Sequence, residues 1–141
     1  MLTDGRGVPL SIVIAGANAP DMRLAKETLD GIPVPRPHPQ RKRRQHLCLD
    51  KGYAFASVTG AANRRGYTIH IPVKRKPGEP AVRQPKHPGG KARRWVNERT
   101  HAWFNRFRRV LVRWEKKAEN YLAVLHFVAA YYTFRQAKVF G

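Results

Sequence analysis

Acidic residues are scarce in this chain, and the scarcity sets its chemistry. Nine Asp and Glu face 28 Lys and Arg among 141 residues, a formal charge of +19. Self-repulsion of that size is tolerated where a polyanion or an acidic surface relieves it, so nucleic acid is the first partner to consider. Cysteine is nearly absent as well. Cys48 stands alone, which excludes an intrachain disulfide and any cysteine-pair metal spacing, and fits a reducing cytosol. No apolar run reaches the roughly 20 residues that a membrane span needs. The longest, YLAVLHFVAAYYTF, carries His126 inside it and reads as a buried helix. The opening MLTDGRGVPL has no basic stretch ahead of an apolar core, so it is not read as a secretory leader. The length predicts one modest domain over residues 1–141 with a real core.

What is present reads as alternating strands and helices. The turn signal Asp4-Gly5 precedes a β-branched run, Leu10 to Ala15, that reads as the second arm of a hairpin. Met22, Leu24, Ala25, Thr28 and Leu29 fall at helical spacing, with Asn18 and Asp21 as cap residues and Gly31 as a stop. PVPRPHPQRKRR has prolines at alternating positions, which forbid helix and favour an extended, solvated linker ending in a basic cluster. QHLCLD reads as a short strand, YAFASVTGAANRRG as a helix closing at Gly66, and YTIHIPV as a strand. Residues 72–93 have too many Pro and Gly and too few large apolar residues to pack, so they read as a basic loop.

Beyond the loop, ARRWVNERTHAWFNRFRRVLVRWEKK reads as one long helix. Val96, Trp103, Phe107, Val110 and Trp114 share its packing face, and Arg94, Glu98, Asn105 and Arg109 lie largely on a polar, basic one. A second long helix, Glu119 to Phe134, is apolar nearly all round and is expected to bury against the first. This is an α/β order in which helices cover a mixed sheet. Ligands of such sheets sit beyond the carboxyl ends of strands, and Asp50 stands at such an end.

Each acid in a cationic field needs a reason to be there. Glu98 has a modest one in Arg94, four residues earlier on the same helix, an exposed pair worth roughly 0.3–0.5 kcal/mol. Asp50 has one too, as the cap of the turn before Tyr53. Neither acid alone compels a catalytic reading. Trp95 and Trp103 invite base stacking, but aromatics at helical spacing more often serve a core, and Trp103 is assigned there. His46, His70 and His101 form no ligand spacing and read as structural.

Taken together, LTDGRGVPLSIVIAGANAPD, CLDKGY, RRWVNERTHAWFNRFRR and EKKAENYLAVLHF, in this order and nearly end to end, resemble the catalytic domain of bacterial insertion-sequence transposases of the Asp-Asp-Glu type, in the family numbered five among such elements. The resemblance implies a ribonuclease-H-like fold in which two Asp and one Glu hold two divalent ions, Mg²⁺ or Mn²⁺. Asp50 matches the second Asp and Glu98 the Glu. Hard oxygen ligands suit these ions, and two of them about 3.5–4 Å apart can activate the attacking oxygen and steady the leaving one. The family's signature around the Glu places an Arg at Arg94. Its Tyr position is Lys91 and its Lys position Asn105, with Arg106 beside it. Arg94, Arg99, Arg106, Arg109 and Lys51 are the candidate DNA contacts, since neutralised phosphates supply most DNA affinity. A solvated helix face is the alternative for these cations.

The family's first Asp has no counterpart here. Asp4 sits in a hairpin turn and Asp21 at a helix start. The expected fold is therefore a partial ribonuclease-H-like α/β fold, its mixed sheet lacking the first strand, with two long C-terminal helices. The expected function is that of a transposase fragment, the downstream reading frame of an element, inactive alone. Its partners would be DNA at the element ends and target, the polypeptide of an upstream frame that supplies the first Asp, and further copies assembled on DNA, in the bacterial cytoplasm at the nucleoid and away from membranes. A non-catalytic basic nucleic-acid-binding protein, or a decayed remnant, fits the charge equally well. A ribosomal-type RNA binder leaves the ordered motifs as coincidence.

Overall fold

The computed structural model describes residues 1–38, 40, 44–72 and 95–138. Residues 73–93 of the expected basic loop, and Arg94, lie outside these. The chain divides into two compact units, one made of residues 1–19, 27–33 and 95–141, the other of residues 20–26 and 34–94. Together they give a mixed α/β protein of helices and two small sheets.

The first unit begins with an antiparallel hairpin of β1 (Leu2–Thr3) and β2 (Pro9–Ser11). Asp4 shapes its turn: Oδ1 accepts from the backbone N–H groups of Arg6 and Val8, both at 2.8 Å. Gly7 then closes the turn in the left-handed region, φ 89°, where a residue without Cβ is unstrained. Of the strand signal over Leu10 to Ala15 only Leu10 and Ser11 lie in β2, because β1 offers a partner just two residues long. Ile12 and Ile14 pack instead against a core of Phe104, Val110, Leu125 and Val128.

The expected long helix is broken. α3 (Trp95–Phe104) ends in a turn, α4 (Arg108–Leu111) adds a single turn, and Val112 is extended. Two features of the sequence oppose continuation. Arg106, Arg109 and Arg113 would stack like charges at three- and four-residue spacing, and Val110 and Val112 are β-branched. The break leaves Trp114 64 % exposed rather than on the packing face. α5 (Ala118–Gln136) supplies the core with Leu125 and Val128, yet Phe127 on its other side is 74 % exposed, so it does not bury all round. Trp103 is half-buried and stacks on Tyr132 at 5.5 Å, in keeping with a core assignment. Tyrosine hydroxyls tie the helices together: Tyr132 donates to the Trp103 carbonyl (2.9 Å) and Tyr121 to that of Val110 (3.0 Å). Among the described residues no helix is long and apolar enough to cross a membrane.

The second unit is a parallel β-α-β arrangement. β3 (Gln45–Cys48) pairs with β4 (Tyr67–His70) in the register Gln45↔Tyr67 to Cys48↔His70. The connecting helix α2 (Ala56–Arg64) buries Val58, Ala61 and Ala62, small side chains that let it lie close to β4, and it stops at Gly66 with φ 76°. Of the proline-rich segment, residues 33–38 form neither helix nor strand and the basic positions 41–43 lie outside the described residues; Arg36 pins the described part down. Its Nε donates to Gln45 Oε1 (3.1 Å), its Nη2 to the Arg65 carbonyl (2.7 Å), and its guanidinium lies 4.0 Å from the centroid of the Tyr67 ring. Gln45 returns a bond from Nε2 to the Pro37 carbonyl (3.1 Å). A helix, α1 (Asp21–Asp30), contributes residues to both units and buries Ala25 and Leu29.

Candidate functional site

Asp50 follows β3 by two residues, past Leu49, whose N–H still pairs with the His70 carbonyl at 2.9 Å. It caps a single 3₁₀ turn, Lys51–Tyr53. Its Oδ1 accepts from Lys51 N–H at 2.7 Å and its carbonyl from Tyr53 N–H at 3.0 Å. The modest capping role is thus realised, and it fixes the direction of an exposed carboxylate at the carboxyl end of a parallel strand. Partial burial, followed by the carboxylates of Asp21 and Asp50, raises the Tyr53 pKa, so that phenol stays protonated and remains a donor. Lys51 is exposed beside it.

Glu98 lies in the first turn of α3 and is exposed. Negative charge is favoured there by the helix dipole. The two residues after it are both committed to the hairpin turn. Arg99 Nη2 donates to the Arg6 carbonyl at 2.7 Å, and Thr100 Oγ1, fully buried, lies 2.9 Å from the Gly7 carbonyl and 3.1 Å from that of Val96. The Arg99 guanidinium is also 4.8 Å from the ring centroid of Trp95 and 4.6 Å from that of Trp103. Sequence reasoning missed this junction, which joins residues 93 apart. The available signal was the second glycine of DGRG and a threonine on the buried side of α3.

Of the other expected DNA contacts, Arg106 is exposed in the turn after α3. Arg109, also exposed, is 3.1 Å from the nearly buried carboxylate of Glu115. Arg94, and with it the expected Arg94–Glu98 pair, lies outside the described residues. Asp50 and Lys51 belong to the second unit; Glu98, Arg99, Arg106 and Arg109 belong to the first. Among the described residues no three His, Cys, Asp or Glu side chains gather closely enough to hold a metal ion. The donor chemistry of Asp50 and Glu98, hard carboxylate oxygens, does fit Mg²⁺ or Mn²⁺.

His46 and His70 take a structural place. His46 Nδ1 and His70 Nε2 share a hydrogen bond of 2.8 Å across β3 and β4, one ring donating and the other accepting. Partial burial, then the N-terminal amino group, lowers the pKa of His101. A His that is easier to protonate in the unfolded chain contributes full stability above its ordinary value of about 6.5 and loses it as pH falls through that value toward the lower folded one. The urea midpoint should therefore decline on acidification below about pH 6.5, modestly because the ring is only partly buried, and part of that slope should vanish in His101→Gln.

The family described as Transposase DDE domain matches residues 1–133 of this chain. The chain belongs to that family, the bacterial insertion-sequence transposases of the Asp-Asp-Glu type, whose members act on DNA in transposition and use divalent metal ions. It is 35 % identical over 129 residues to a Burkholderia cepacia protein named as a transposase for insertion sequence element IS402, a match covering 89 % of this chain and 56 % of that protein. The chain thus spans about half the length of that relative. No solved structure matches the chain.

Proposed function

We propose that this chain supplies two of the three metal-binding carboxylates of a transposase, Asp50 and Glu98, together with much of its DNA-contacting surface. The observation that carries the reading is local: an acid just past the carboxyl end of a parallel strand and an acid in the first turn of α3 are the residues that match the family's second Asp and its Glu. On this reading residues 1–141 are one partial catalytic domain. The β1–β2 hairpin and the parallel β3–β4 pair are segments of a ribonuclease-H-like sheet whose first strand, bearing the first Asp, comes from the polypeptide of an upstream frame.

The residues divide the work. Bound Mg²⁺ or Mn²⁺ supplies Lewis-acid activation of the attacking oxygen and neutralises charge on the leaving one. Asp50, held by its cap, and Glu98, held by α3, bind and orient the ions. Tyr53, kept protonated beside Asp50, donates hydrogen bonds. Lys51, Arg94, Arg106 and Arg109 hold backbone phosphates; Arg109, itself exposed, can meet a phosphate while it stays beside the nearly buried carboxylate of Glu115. Two carboxylates bind such ions weakly, which supports inactivity of the chain alone.

The test is reconstitution. The chain combined with the upstream-frame polypeptide should cut element-end DNA only with Mg²⁺ or Mn²⁺, and neither polypeptide should do so alone. DNA binding that persists without any cleavage in the combination would favour a basic nucleic-acid-binding protein that lacks the chemistry.

A further inference from the structure

We propose that Arg99 is a positioning residue for Glu98, a clamp that fixes the first turns of α3 to the β1–β2 turn, and that it is not a phosphate contact. The inference rests on the reading of Glu98 as a metal ligand. Its physical content is a chain of contacts within one compact unit. Asp4 accepts from the N–H groups of Arg6 and Val8, which sets the turn so that the carbonyls of Arg6 and Gly7 face α3. Arg99 and Thr100, the two residues after Glu98, bind these consecutive carbonyls at 2.7 and 2.9 Å. The backbone that carries Glu98 is thereby tied at two adjacent points.

Arg99 is suited to this and poorly placed for DNA. Its flat guanidinium lies between the indoles of Trp95 and Trp103, one turn before and one turn after it on the helix. Trp103 is in turn stacked on Tyr132 of α5. Arg99 Nε is buried and has no hydrogen-bond partner among the described residues, and its Nη2 is committed to the Arg6 carbonyl. A phosphate would have to compete with both cation–aromatic contacts and with a charge-assisted hydrogen bond. Gly7 completes the junction, because a Cβ there would stand 3.2 Å from Arg99 Nη2 and 2.8 Å from Thr100 Oγ1. Lysine could keep the charge of Arg99 but neither the planar stacking nor the directed bond.

The experiment combines the upstream-frame polypeptide, which completes the three carboxylates, with the full chain or with its Arg99→Lys, Arg99→Ala, Trp95→Ala, Thr100→Val and Glu98→Ala variants. Mn²⁺ binding is followed by electron paramagnetic resonance, and affinity for a random-sequence duplex is measured across salt concentrations. Both Arg99 variants should weaken Mn²⁺ binding about tenfold, the lower end of what losing an outer-shell partner costs a metal site, with DNA affinity and its salt slope unchanged. Trp95→Ala, an exposed residue, should loosen the same clamp without opening a core cavity, so the comparison survives if Arg99→Ala does not fold. Arg99→Lys binding Mn²⁺ as the parent chain does would overturn the role. So would a salt slope reduced by about one unit in Arg99→Ala, the mark of a lost phosphate contact. Mn²⁺ binding that is absent, or unmoved by Glu98→Ala, removes Glu98 as a ligand and this role with it. Loss in Glu98→Ala without loss in Arg99→Lys removes only this role.

Discussion

Asp50→Asn and Glu98→Gln should each lower metal-dependent cleavage of element ends by the reconstituted transposase by about 10³-fold or more, since a bound ion supplies several kcal/mol of charge stabilisation and each 1.36 kcal/mol is tenfold in rate. The isosteric amides separate chemistry from folding. Asn at position 50 still offers an oxygen to the Lys51 N–H, and Asn caps as well as Asp does, so the 3₁₀ turn that follows β3 survives. Gln at position 98 keeps the shape of an exposed helix residue and forgoes only a favourable charge near the helix N-terminus, worth about 0.3–1 kcal/mol. DNA affinity should hold or rise, because each change removes a negative charge from a chain of formal charge +19. Cleavage that stays within a few-fold of the parent for either variant, in a combination that cuts DNA at all, takes that residue out of the metal site.

The sequence carried the local elements and lost the places where tertiary contacts decide. The turn at Asp4-Gly5, the helix beginning at Asp21, the stop at Gly66 and the strands around Leu47 and Ile69 all follow from short-range chemistry, and all are present. The break between α3 and α4 was hidden because the apolar spacing Val96, Trp103, Phe107, Val110 fits one continuous helix. Four arginines between positions 106 and 113 and the β-branched Val110 and Val112 carried the opposing signal, which apolar periodicity alone does not register. The proline-rich segment read as solvated because nothing local reveals that Arg36 finds Gln45, Tyr67 and the Arg65 carbonyl. For the candidate site, the position of Asp50 at a strand end was legible, and so was that of Glu98 on a helix. The attachment of α3 to the hairpin turn was not, because Gly7 and Thr100 signal a close approach without showing that the carbonyl oxygens of Arg6 and Gly7 meet Arg99 and Thr100 far along the chain.

That attachment makes Gly7 the residue whose replacement should cost the fold most for the fewest atoms. Gly7→Ala is expected to destabilise the chain by about 3 kcal/mol, from roughly 1–2 for placing a Cβ at positive φ and 1–3 for overpacking. The position has φ 89° and is buried, and the added carbon would lie 2.8 Å from Thr100 Oγ1 and 3.4 Å from Val96 Cγ1. Gly5, in the same turn, has open space around its Cβ position, so Gly5→Ala should stay within about 0.5 kcal/mol of the parent chain. Urea midpoints of the two variants measure the contrast, and equal shifts would remove the close approach of the turn to α3. The double variant Gly7→Ala/Thr100→Ala divides the cost. Deleting the Thr100 hydroxyl relieves the clash but not the backbone strain, so the double variant should be more stable than the sum of the two single changes predicts. What remains after that coupling is subtracted is the strain of the left-handed backbone itself, together with the loss of the bond from Thr100 to the Gly7 carbonyl.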